Sequence, residues 1–136
     1  MTHPTSAEIA GRIEDLYGAP LAALVSHAQD QPPGMLSALL GLHDSLALAE
    51  RSIAFHRERL AQLVHPERQV SAHEVSHVLD CARRLVEAVA VRDIQATSAS
   101  AVLQSLVRVT PPEPSPAPVA VPATPPAPDA RAAPSR

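Results

Sequence analysis

The chain has no lysine and no tryptophan, and among its 136 residues there is one cysteine, one tyrosine and one phenylalanine. Each scarcity closes off something. A single thiol, Cys81, cannot form an intrachain disulfide, which fits a reducing compartment. With Tyr17 and Phe55 as its aromatics, the chain lacks the side chains that usually fill β-sheet cores or stack against nucleobases. The eleven basic residues are all arginine and are outnumbered by fourteen acidic ones, for a net charge of −3. That balance carries no electrostatic footprint for nucleic acid, which needs clustered positive charge. We read the exclusive use of arginine as the nucleotide bias of a GC-rich bacterial genome. No stretch approaches the roughly 20 apolar residues that span a bilayer. The start, MTHPTSAEIAGRIEDL, has neither the basic region nor the apolar run of an export signal. The expectation is a cytoplasmic protein that engages neither membrane nor nucleic acid.

What is present is alanine, leucine and valine, which make up most of a 46% hydrophobic content. Packed chains built from these residues are usually helical, and the length suits one domain. Ten of the fifteen prolines fall in residues 110–136, which read TPPEPSPAPVAVPATPPAPDARAAPSR. Proline removes a backbone donor and fixes φ, so neither helix nor sheet propagates there. This region is expected to be a disordered, Pro/Ala-rich, polyproline-II-leaning tail. The helical domain is then residues 1–109.

Within that domain, Thr5 and Glu8 form the pattern of a capping box, followed by Ile9, Ile13 and Leu16 at helical spacing. Gly18 is a stop signal, and Pro20 can open a second short helix as its first residue. The strongest pattern comes next. Leu39, Leu42, Leu46, Ala49, Ile53, His56, Leu60 and Leu63 recur at alternating steps of three and four, with Met35 and Val64 extending the row. This predicts a coiled-coil-like helix over about 35–65, roughly 45 Å long. HPERQ breaks it, and Ser71 with Glu74 signals a second capping box. Val75, Val78, Ala82, Leu85 and Val89 continue one stripe, widened by Leu79 and Val86. The pattern thins at RDIQATSASA and recovers from Val102.

Two long helices joined by a short turn must run antiparallel. The predicted architecture is all-α: a long antiparallel helical hairpin, two short N-terminal helices packed on it, and the tail. A turn centred near residue 68 sets Ile53 level with Ala82 and Leu85, and Leu46 level with Val89. It also allows His43 to meet Asp93.

One motif carries potential chemistry. HEVSH, residues 73–77, fits the H-E-x-x-H pattern in which two histidines four apart hold zinc and the glutamate acts as general base. If Val75, Val78, Leu79, Ala82 and Val86 are the buried side, His73 and His77 point into solvent. Asp80 and Arg83 stand where an extended metzincin pattern has glycine and the third histidine. His65, brought near by the turn, is the candidate third ligand of a metal site made with His73 and His77. No cofactor is expected, and zinc is the alternative. Cys81 reads as lying off the main seam, and Asp80–Arg84 and Arg83–Glu87 as surface ion pairs. A Trp-x-Gly turn, which marks the secreted helical hairpins that actinobacteria export in pairs, is absent, since residues 65–67 read His-Pro-Glu.

Leu48 and Phe55 bear more directly on function. They lie seven apart on the side of their helix opposite the main stripe, so that helix has two apolar faces to bury. Either the N-terminal helices or another chain covers the second face. The expected function is a small non-enzymatic interaction or oligomerisation module. Its partner is another protein or a second copy, bound through Leu48 and Phe55. The alternative is a zinc-dependent hydrolase or metal-binding protein using HEVSH.

Overall fold

Thr5 opens the first helix as its capping pattern requires. Its side chain accepts from the Glu8 amide at 3.2 Å, and the Glu8 carboxylate accepts from the Thr5 amide at 2.6 Å. The helix ends at Gly18, whose φ of 68° is the left-handed conformation that glycine adopts without a Cβ penalty. Its amide donates to the Glu14 carbonyl at 2.7 Å. Thr5→Ala is therefore expected to cost about 1 kcal/mol in urea denaturation, with Thr5→Ser restoring most of it. Equal stability in Thr5→Ala and the parent would show that the cap contributes nothing.

The computed structural model describes residues 2–108, which form α1 (Ser6–Tyr17), α2 (Leu21–Gln29), α3 (Met35–Leu63) and α4 (Ala72–Arg108). The Pro/Ala-rich tail expected from residue 110 lies outside the described residues. No strand occurs among them, and no helix among them is long and apolar enough to cross a membrane. Pro20 sits one position earlier than expected, as the N-cap of α2.

α3 and α4 make the antiparallel hairpin. The α3 seam is the expected one: Leu39, Leu46, Ala49, Ile53 and Leu63 are buried, with Leu42, His56 and Leu60 half-buried between them. Met35 and Val64, expected to extend the row, are exposed at its two ends. The cross-hairpin register is within about one residue of that expected, since Cys81 lies against His56.

The phase of α4 differs in part from the expected one: Val78, Ala82, Leu85 and Val89 of the expected stripe are half-buried and flank the seam. Val75, Leu79 and Val86 are exposed, whereas Cys81, Ala88, Ala96, Ala99 and Leu103 are buried. The reason is steric. Large α3 side chains are buried together with mostly small α4 ones, a pairing that lets two helices interdigitate. Cys81, at 5% exposure, is on the seam and not off it. Its thiol donates to the His56 carbonyl at 3.3 Å. The stretch RDIQATSASA, where the apolar pattern thins, is continuous helix and supplies the fully buried Ala96 and Ala99.

Those two alanines mark where α1 docks. Ile9 and Ile13 pack with Leu24, Leu39, Leu46, Ala96, Ala99 and Leu103 in the main core. Polar ties fix the position of α1. The Ser6 amide donates to Glu50 of α3 at 2.8 Å, and the Ser6 hydroxyl donates to the same carboxylate. A carboxylate at a helix N-terminus is also favoured by the exposed amides there. His3 lies 3.6 Å from Asp93, and Arg12 donates to the Ser100 hydroxyl at 2.9 Å. The N-terminal helices thus cover the open end of the hairpin. Towards the turn, beyond Glu50 and Arg92, the fold is two helices thick, an arm of roughly 20 Å.

Candidate functional site

The arm carries the histidine pair and Phe55, with Leu48 at its base. On the α4 side of the hairpin, the His73 and His77 rings meet edge to face. Their Nε2 atoms are 3.2 Å apart, and the ring centroids are 4.8 Å apart at 87°. Both residues are exposed. Helical spacing brings them together, because side chains four apart stack on one face.

Glu74 is engaged elsewhere. Its carboxylate accepts from the Ser71 amide at 3.1 Å and from Arg68 at 3.0 Å. This is one half of the expected capping box, extended by an arginine from the turn. The backbone bond from Ser71, then the Arg68 guanidinium, holds the Glu74 carboxyl below the usual glutamate range. Glu8 is lowered in the same way by its bonds to Thr5. Groups with depressed folded-state values add stability above the unfolded glutamate value of about 4.3, and that stability is lost as pH falls through the folded values. The Thr5 and Ser71 amide resonances are thus expected to titrate with midpoints below ordinary glutamate. Midpoints at or above that value would contradict both caps.

His65 does not complete a ligand set with the pair. Its Nδ1 accepts from the Glu67 amide at 3.3 Å. Among the described residues no group of three His, Cys, Asp or Glu side chains is placed to hold a metal ion. HEVSH therefore presents two convergent imidazoles beside a glutamate that serves as a helix cap.

Other expected pairs resolve differently. His43 lies 3.2 Å from its neighbour Asp44 and not against Asp93, which instead takes Arg92 at 2.8 Å and His3. Asp80 pairs with Arg84 at 3.0 Å as expected, but Arg83 also turns to Asp80, at 2.9 Å, and not to Glu87. The two guanidiniums, with the Arg83 bond leading, lower the Asp80 carboxyl.

Leu48 and Phe55 are 61% and 65% exposed. α1 packs on the Glu50 side of α3, so neither N-terminal helix covers them. Leu48 lines a groove of about 410 Å³ between α3 and α4, with Ser52 and His56 on one wall and Arg84 and Val91 on the other. The Phe55 ring meets the His56 ring edge-on, with centroids 5.2 Å apart. A second uncovered row was missed by sequence reasoning: Leu79 and Val86, 65% and 67% exposed, with Val75 above them. Its signal was present as a stripe set about 100° around the helix from Val78 and Leu85. Apolar spacing alone does not say which of two adjacent stripes faces the partner helix. No protein-family model matches the chain, and no curated protein or solved structure matches it significantly.

Proposed function

We propose that this chain is a small, non-enzymatic, cytoplasmic interaction module that assembles through the apolar flanks of its helical arm. The supporting observation is that Phe55 stands uncovered on the part of the fold only two helices thick, with Leu48 uncovered at its base. Two helices bury one seam between them and leave their outer faces to water. Clustered apolar residues on such faces are the usual mark of a docking surface.

The simplest partner is a second copy. Two arms laid against each other complete a four-helix bundle, and a two-fold pairing places each Leu48 and Phe55 in a self-complementary patch. Phenylalanine is the larger anchor, because an aromatic ring buries roughly 150–250 Å². The experiment is light scattering on the parent chain across concentration. A mass above that of one chain is expected, and a monomer throughout would end the self-assembly reading.

A metal-binding role draws support from the His73–His77 spacing. A hydrolase role draws less, because Glu74, the general base of the pattern, is held by Ser71 and Arg68.

A further inference from the structure

We infer that His73 and His77 form a two-imidazole chelate for a borderline divalent cation of the zinc type. The inference rests on ring geometry and is independent of whether the chain self-assembles. Zinc binds histidine nitrogen at about 2.0–2.1 Å in tetrahedral geometry, which sets two ligand nitrogens about 3.3 Å apart. The two Nε2 atoms stand 3.2 Å apart while the ring centroids are 4.8 Å apart, so both Nε2 atoms point inwards at the separation one ion requires. Without an ion, the same approach is a hydrogen bond from one ring's Nε2–H to the other's lone pair, which requires the two rings to be different tautomers. A cation removes that requirement, since both Nε2 atoms then act as donors of lone pairs.

The donor type selects the ion class. Imidazole suits zinc, nickel and copper, whereas magnesium and calcium take oxygen. Glu74 does not join, because Ser71 and Arg68 hold its carboxylate. Two coordination positions are left for water. The chelate bridges residues 73 and 77, one turn apart in the N-terminal part of α4, so binding clamps the arm at the point where α4 begins. Anything that binds the folded state and not the unfolded one raises its stability by mass action.

The test is calorimetric titration of the untagged, full-length chain with Zn²⁺, with Mg²⁺ as a hard-cation control. Expected is saturable binding of one zinc per chain, a rise in melting temperature with zinc and none with magnesium. His73→Ala and His77→Ala should each weaken binding by at least about tenfold, the loss that even outer-sphere partners cause at metal sites. Both positions are exposed and alanine favours helix, so circular dichroism should show the variants folded. His65→Ala should leave the affinity unchanged. The inference is overturned by absence of saturable zinc binding, or by full-strength binding in the double variant. A loss in His65→Ala equal to that in His73→Ala would also overturn it, in favour of a three-ligand site.

Discussion

Leu46→Ala is expected to lower the stability of the chain by about 2–5 kcal/mol, the cost of emptying a leucine site in a packed core. Leu46 has no solvent exposure and belongs to the cluster where α1, α3 and α4 meet. The cluster also holds the fully buried Ile9 and Ile13 of α1 and the short side chains of Ala96 and Ala99. Domains of this size are stable by only about 5–15 kcal/mol, so one such substitution removes a large share. At roughly 4–8 °C per kcal/mol, the melting point should fall by ten degrees or more. Leu79→Ala is the matched control, because the same side chain is removed from a site that is 65% exposed. Within one chain it should cost no more than about 0.5 kcal/mol. A Leu79→Ala loss equal to that of Leu46→Ala in a monomeric sample would show that the phase of α4 is wrong.

The second large effect is on assembly. The Leu48→Ser, Phe55→Ser double variant is expected to weaken self-association about a hundredfold or more, while the hairpin stays folded. Neither side chain belongs to the buried core, so the monomer loses little when they are truncated. In the assembly they would be central anchors, and truncating such residues commonly costs 2 kcal/mol or more each. Two of them together exceed the roughly 2.7 kcal/mol that corresponds to a hundredfold in dissociation constant. The contrast with Leu46→Ala is diagnostic: one variant loses stability at every concentration, the other loses only assembled mass.

Much of this architecture is legible from local chemistry. The caps at Thr5 and Gly18 are written in side-chain hydrogen bonding and backbone handedness, which act within a few residues. The α3 seam is legible because its large residues, from Leu39 to Leu63, keep one spacing over eight positions. The α4 seam is less so, because most of its buried members, Cys81, Ala88, Ala96 and Ala99, are small, Leu103 being the exception. Counting large apolar residues selects Val78, Leu85 and Val89, which are half-buried, together with Val75, Leu79 and Val86, which face outward. Small residues are chosen there for how near they let another helix come, which is a property of two elements and not of one.

The same limit governs the candidate sites. The pairing of His73 with His77 is a local consequence of helical pitch and could be read directly. Whether His65 joins them, or His43 meets Asp93, depends on turn geometry and side-chain direction across the hairpin. The engagement of Glu74 by Arg68 had no sequence signal beyond the capping pattern itself. That Leu48 and Phe55 stay uncovered follows from where Ser6 docks on Glu50, a contact spanning more than forty residues of chain.

Sedimentation equilibrium of the parent chain beside the Leu48→Ser, Phe55→Ser variant tests the central claim most directly. The account predicts about twice the chain mass for the parent and one chain mass for the variant, with matching helical spectra. Identical monomeric masses for both, or an oligomer that survives the double substitution, would contradict it.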